Sequence, residues 1–408
     1  MSLFNETEGV FKLITGKAGT GKSTMLKDMV ENSLVKYSNF AVVAPTGVAA
    51  VNVGGVTIHR FFGFKIHSTL EKPGHYSSQI RDNLKNLNTL IIDEISMVRA
   101  DILDMIDERL RMARNNHAPF GGVNVIAFGD LYQLPPVVKK EEVVFGTRYT
   151  TPFFFGSDII NRVIGEDKFE VEVLEKVYRQ TDQNFIKILN NIRVGKPYDE
   201  AELRKRAFKG YDNSMVYLST TNAKAKSIND SELKKITSTG KTYKAIIDGD
   251  VPAYPVERII VLKVGAKVMF ARNTDDFMNG ETGIVESMTN SEVVVRKDNG
   301  DLVAVPPIEW KIYNYNSNQG ELDREHTGSF TQLPLQLGWA ITVHKSQSKT
   351  FDKVYIDFGW GAFAEGQVYV ALSRCTSLEG LALKRVIRDS EIMVNSDVKE
   401  FMKIITKK

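Results

Sequence analysis

Cysteine is almost missing from this 408-residue chain: Cys375 stands alone. That excludes an intrachain disulfide framework and fits a reducing compartment. Long apolar runs are missing too. No stretch approaches the roughly 20 residues of a membrane span. The opening residues, MSLFNETEGV, lack the basic and apolar regions of a secretory leader. A cytoplasmic protein is the default expectation, with the nucleus left open. Nor is there an excess of one charge: 53 Lys and Arg face 50 Asp and Glu, for a net +3. Such a balance cannot by itself argue for nucleic acid. There is no internal repeat and no low-complexity segment. What remains, 42% hydrophobic and 25% charged residues, is ordinary globular composition. The length suffices for two or three domains with real cores.

Apolar runs punctuate the first half. FKLIT (11–15), FAVVAP (40–45), TLIIDE (89–94) and VNVIAFGD (123–130) read as buried strands, each ending in polar or small residues. A helix carrying Met25, Leu26, Met29, Val30 and Leu34 on one face follows the first, and the amphipathic RADILDMIDERLRMARN precedes the last. Strands alternating with helices predict a parallel α/β sheet, whose ligand sites gather at the carboxyl ends of its strands. The pattern returns after about residue 171, with SMVYLST, KVYIDF and a helix around EGQVYVALSRCTS. Residues 258–337 differ. Short alternating strands (AKVMFAR, TGIVESM, EVVVRKD) and two Asn-Gly turns, at 279–280 and 299–300, predict a small inserted β-barrel.

The first strand runs into GKAGTGKS, Gly16 to Ser23, which fits G-x-x-x-x-G-K-[ST] in its strand–loop–helix setting. Glycines let the backbone wrap closely and aim successive N–H groups at phosphates. The helix N-terminus adds partial positive charge. Contacts to ATP are expected from Gly16, Ala18, Gly19, Thr20, Gly21, Lys22, Ser23 and Thr24. Lys22 is the point charge for the terminal phosphates and Ser23 a Mg²⁺ ligand. In LIIDEISMV, Asp93 would hold Mg²⁺ through water and Glu94 would activate the attacking water. An Asp-Glu pair at a strand end is otherwise a plain helix cap; some seventy residues after a phosphate loop it reads as hydrolytic machinery. In FGDLYQLPPV the two prolines stiffen the chain after Gln133, which could then sense the γ-phosphate or merely be solvated.

These motifs do not stand alone. The phosphate loop, APTGVAAVNVGGVTIHRFF (44–62), IIDEISMV, PFGGVNVIAFGDLYQLPPV (119–137), VYRQ (177–180), WAITVHKSQSKTFD (339–352) and VYVALSRCTS (368–377) occur in that order. Together they resemble the PIF helicase family, superfamily-one DNA helicases that move 5′ to 3′, over nearly the whole chain. The resemblance implies two RecA-like domains, one over 1–170 and one over 171–257 and 338–408. It also implies an SH3-like barrel at 258–337 and a duplex-splitting wedge at 63–82. Arg374, and with it Arg179, would be arginine fingers reaching the γ-phosphate; a surface helix arginine, or a partner for Glu379, is the plain alternative for Arg374. Thr46, His59, Phe61, Phe62, Thr342, His344, Lys345, Ser346 and Gln347 fall on the family's DNA-contacting motifs. Rings there would stack on bases, and hydroxyls and lysines would hold phosphates. A double Phe is otherwise a core feature.

The implied partners are ATP, Mg²⁺, single-stranded DNA and single-strand/duplex junctions, with a monomer as the working unit and no membrane. Two departures stand out. No Gln occurs among the fifteen residues before Gly16, where the family carries an adenine-reading segment, and Ser348 replaces the glycine that usually follows HKSQ. An RNA helicase of the same superfamily, an ATP-gated DNA clamp and a nuclease-complex motor are the rival expectations.

Overall fold

The computed structural model describes residues 8–34, 39–65, 75–138 and 144–406. Of the expected wedge, residues 66–74 lie outside the described set. The chain divides into two compact units. Met1–Lys176, Lys311–Gly328 and Asn395–Lys408 form the first; Val177–Trp310 and Ser329–Val394 form the second. Among the described residues no helix is long and apolar enough to cross a membrane.

The first unit alternates as predicted: β1 (Phe11–Gly16), α1 (Lys22–Asp28), β2 (Phe40–Ala44), α2 (Gly47–Asn52), β3 (Val56–Thr57), α3 (Ile58–Phe62), α4 (Ser78–Asn86), β4 (Thr89–Ile92), α5 (Ala100–Arg114), β5 (Asn124–Gly129), α6 (Val144–Thr147), α7 (Asp158–Gly165) and β6 (Phe169–Leu174). The six strands pair in parallel in the order β3-β2-β4-β5-β1-β6. β1, β4 and β5 are buried along their whole length, as strands covered on both faces must be. Leu13 of β1 and Ile92 of β4 both register with Ala127 of β5, so the three strands end at one edge. One prediction is corrected here. The helix after the phosphate loop is α-helical for only seven residues and continues as a π-helix over Met29–Leu34. Leu26, Met29 and Val30 are nonetheless buried together.

After Lys176 the chain continues through α8 (Gln183–Val194), α9 (Glu200–Arg204), β7 (Val216–Ser219), α10 (Asn222–Lys235), β8 (Lys241–Lys244), β9 (Ile246–Gly249), β10 (Ile259–Leu262), β11 (Lys267–Phe270), β12 (Thr282–Met288), β13 (Val293–Lys297) and β14 (Leu302–Val305). The hairpin β15 (Ile308–Asn318) and β16 (Glu321–Gln332) follows, then β17 (Leu335–Leu337), β18 (Ala340–Thr342), β19 (Val354–Asp357), α11 (Gln367–Leu372), β20 (Leu381–Leu383) and α12 (Ser396–Ile405). A second parallel sheet has the order β18-β7-β19-β20. An antiparallel sheet, β14-β13-β12-β11-β17, occupies most of the segment where a barrel is expected.

The boundaries differ from the sequence reading in three places. β8 and β9 precede residue 258 yet pair with β10 and β16. The outer part of the β15–β16 hairpin belongs to the first unit, where the Tyr315 hydroxyl accepts the Val42 N–H at 2.8 Å and Asn83 donates to the Tyr315 carbonyl at 2.7 Å. Finally, α12 joins the first unit rather than the second. The Phe401 ring stacks on Phe155 with centroids 4.4 Å apart, and Val398, Met402 and Ile405 complete that core.

Candidate functional site

The phosphate loop bridges β1 and α1. Gly21 at the helix start takes φ 86°, a left-handed conformation that a side chain resists. A Cβ on Gly16 would lie 2.6 Å from the Leu174 carbonyl oxygen, so the strand end admits only glycine. The Lys22 ammonium folds over the loop and donates to the carbonyls of Gly16 (2.7 Å) and Lys17 (3.0 Å). The buried Thr20 donates its hydroxyl to Lys17 O at 2.9 Å, while Ser23 and Thr24 face solvent.

The acid pair sits two strands away at the same edge. Asp93 receives its place from its own N–H, which donates to Val43 O at 2.9 Å. Burial, and then the Glu94 charge, push the Asp93 carboxyl well above the ordinary carboxylate range, while Lys22 pulls it back. That interaction brings Lys22, Asp93 and Glu94 into one electrostatic site. Glu94 takes φ 51°, left-handed and unusual for a glutamate, as the chain turns into a short 3₁₀ turn at Ile95–Met97. Ser96 is buried, and its hydroxyl finds no partner among the described residues. From β5, the fully buried Asp130 accepts the Tyr132 N–H at 3.2 Å and the Gln133 side-chain amide at 3.4 Å. Gln133 is therefore held, not loosely solvated. Asp130 was missed in the sequence, though an acid closing an apolar strand is a readable signal.

No cluster of three or more His, Cys, Asp or Glu side chains suited to a metal occurs among the described residues. Mg²⁺ does not require one, since it is commonly held by one or two protein ligands together with phosphates and water. The half-buried Asp93, beside Lys22, and the exposed Ser23 hydroxyl are donors of that kind.

The second unit carries the other candidates. Arg374 is buried, not on the surface. It donates to Val370 O at 2.9 Å, to Ser346 O at 3.3 Å and to the Ser373 hydroxyl at 2.8 Å. Glu379 pairs with Arg206 instead, at 3.5 Å. Arg179 donates to Ser373 O at 3.2 Å. Its neighbour Gln180, unremarked in the sequence, donates to Ser373 O and Cys375 O at 3.1 and 2.9 Å.

The loop after β18 resolves the donors of ITVHKSQSKT into distinct roles. Lys345 is exposed, and His344 is half-buried with its pKa lowered by burial. Thr342 is buried and accepts the Lys345 N–H at 3.3 Å. Ser346 differs from the expectation: it is wholly buried and donates its hydroxyl to Val343 O at 2.7 Å, so that hydroxyl is not presented at the surface. Gln347 has a buried amide nitrogen without a partner among the described residues. Lys349, also missed, is pushed down to about 8 by burial and donates to Asn279 Oδ1.

In the first unit Thr46 is exposed and caps α2, accepting the Ala49 N–H at 3.2 Å. His59 is half-buried. Phe61 and Phe62 are corrected. Both lie in the core, Phe61 edge-on to Tyr315 and Phe62 stacked on Phe64, so neither offers a face to a base.

Comparison with known proteins agrees with these motifs. The model of the PIF1-like helicase family matches residues 2–202. The ATP-dependent DNA helicase PIF1 of Danio rerio is 35% identical over 420 residues, which cover 96% of this chain and 61% of that protein. The chain thus spans less than two thirds of that relative's length. The ATP-dependent DNA helicase Pif1 of Bdellovibrio bacteriovorus is 31% identical over 400 residues, covering 94% of this chain and 85% of that one. The crystal structure of Bacteroides sp. Pif1 in complex with ADP-AlF4 aligns with a TM-score of 0.90 at 36% identity, covering 100% and 98% of the two chains. Bacteroides Pif1 bound to single-stranded DNA aligns with a TM-score of 0.67 at the same 36% identity and coverage.

Proposed function

The chain belongs to the PIF1-like helicase family, and we propose that it is an ATP-dependent motor that moves 5′ to 3′ on single-stranded DNA and unwinds duplex or structured DNA. The observation that carries the reading is the union of Lys22, Asp93 and Glu94 in one electrostatic site at one sheet edge. A clamp that never hydrolyses ATP has no use for Glu94. In this reading Glu94 takes the proton of the attacking water, and Lys22 leaves its two loop carbonyls for the phosphates. Mg²⁺ held by Ser23 and Asp93 would neutralise developing phosphate charge. Gln133, braced on Asp130, reports the γ-phosphate. Arg179 and Arg374 are the proposed transition-state cations, a role worth roughly 10³–10⁵ in rate.

On the DNA side, the exposed Lys345 and Thr46 and the half-buried His344 and His59 remain as contacts, with Gln347 as a relay. The two parallel sheets would be RecA-like domains, and the antiparallel strands between β11 and β17 an SH3-like barrel. The working form would be a monomer acting at single-strand/duplex junctions.

Strand displacement on matched duplexes tests this. A 5′-tailed DNA duplex is expected to be unwound in ATP and a 3′-tailed one left intact. Preference for the 3′ tail would overturn the polarity, and preference for an RNA tail would move the substrate to RNA. Lys22→Ala is expected to abolish hydrolysis while retaining single-strand binding.

A further inference from the structure

Trp360 is 100% exposed, whereas Trp310 and Trp339 are buried. Phe363, three residues on, is exposed as well. Single apolar rings in water are common, but here the backbone is built to hold the ring out. Between β19 and α11, the Gly359 N–H donates to Asp357 at 2.8 Å, the Ala362 N–H to Glu391 at 3.0 Å and the Phe363 N–H to Gln367 at 2.9 Å. Arg388 donates to the Trp360 carbonyl. Glu391 is itself buried and pairs with Arg385 at 2.6 Å and Arg388 at 3.3 Å. A Cβ on Gly361 would sit 3.0 Å from Arg388, so the loop is closed around that network.

The sheet places this loop. Thr342 of β18 and Asp357 of β19 both register with Ser219 of β7, so three adjacent parallel strands end in one row. At ~4.8 Å per strand, the loops leaving β18 and β19 start about 10 Å apart. The β18 loop carries His344, Lys345 and Gln347. The β19 loop carries Trp360.

We propose that Trp360, on the loop that also exposes Phe363, is a stacking platform for an unpaired base of the same single strand that Lys345 grips. The inference rests on the DNA-motor reading and lengthens its track along one sheet edge. A phosphate clamp is the wrong description of this loop, because its cations are already engaged: Lys384 with Asp357 at 2.8 Å, Arg385 and Arg388 with Glu391. The unengaged chemistry is the ring face, which every base can use without sequence preference. Two rings also fall short of the several hundred Å² of apolar surface typical of a protein-docking patch.

The test uses the full chain and an oligothymidylate. Trp360 is the only exposed tryptophan of the three, so acrylamide quenching reads it out. Saturating oligonucleotide is expected to shield Trp360 from acrylamide and quench the parent's emission; Trp360→Phe should lose that response. By fluorescence anisotropy, Trp360→Ala is expected to bind roughly 5- to 150-fold more weakly, the worth of one stacked base. Its salt slope should match the parent's, because stacking releases no counterions. Trp360→Phe should retain most of the affinity, and the melting temperature should not change. If the parent binds the oligonucleotide while Trp360 stays open to acrylamide and the Ala variant binds equally well, the platform is wrong and the DNA reading stands. A parent that binds no oligonucleotide overturns both.

Discussion

Ser348 shows what a single replacement does to a backbone. It stands where the family usually carries glycine, and it adopts φ 63°. A left-handed residue with a Cβ costs roughly 1–2 kcal/mol, partly offset because glycine loses more freedom on folding. Ser348→Gly is therefore expected to stabilise the chain by about 0.5 kcal/mol, read as a higher urea midpoint at constant m-value. A lower midpoint would mean that the serine side chain contributes more than its strain costs. Two lysines make a separate residue-scale prediction. Burial pushes both Lys267 and Lys349 down to about 8. Unfolded lysine keeps its proton to about 10.4. Between those values these two lysines bind more protons in the unfolded chain, so they make stability rise with pH from about pH 8, opposed above about pH 9 by Cys375, whose thiol burial pushes up to about 11. The slope is at most about 1.4 kcal/mol per pH unit per lysine. Urea titrations at pH 7.5, 8.5 and 9.5 should show the rise, and Lys349→Met should flatten it. A parent whose stability does not change across that range refutes the assignment.

Elements with strong local signals were legible in the sequence. β1, β4 and β5 sit within a residue or two of FKLIT, TLIIDE and VNVIAFGD, because buried parallel strands are continuous apolar runs. The phosphate loop and the acid pair were legible for the same reason: their chemistry is local in sequence. What could not be read was set by distant partners. Nothing in RFF says that Phe61 meets Tyr315, 254 positions later, rather than a base. Nothing in VHKSQ says that the Ser346 hydroxyl turns inward to Val343 while Lys345 turns out. The helix around Phe401 lies in the stretch 338–408 expected to belong to the second domain, and its allegiance to the first was not legible. Its aromatic face packs on Phe154, Phe155 and Phe169 of the first unit. Phe401→Ala should accordingly cost about 3–5 kcal/mol. The loss should appear as early melting of the first unit, followed by nucleotide-binding signal. Unchanged melting would show that α12 is not part of that core.

At the scale of the molecule, neither unit is one continuous stretch. The chain completes the first unit only by returning twice, with Lys311–Gly328 and with Asn395–Lys408. Those returns bring Tyr315, Leu322, Val398, Phe401, Met402 and Ile405 into the main core cluster. Burying a large apolar side chain contributes about 1.5–3 kcal/mol, so six such side chains amount to roughly 9–18 kcal/mol. A whole domain is commonly stable by only about 5–15 kcal/mol. The fragment 1–176 holds every strand of the six-stranded sheet, the phosphate loop and the acid pair, yet it should not fold alone. It is expected to bind a hydrophobic dye, to lack near-ultraviolet circular dichroism and to bind no ATP analogue. Joining residues 395–408 to it through a flexible linker should recover part of the cooperativity, since four of the six side chains return with that segment. Cooperative unfolding of 1–176 by itself would contradict this account. The site at the edge of the first sheet would then be a property of the sheet alone rather than of a core that three separate segments of the chain complete.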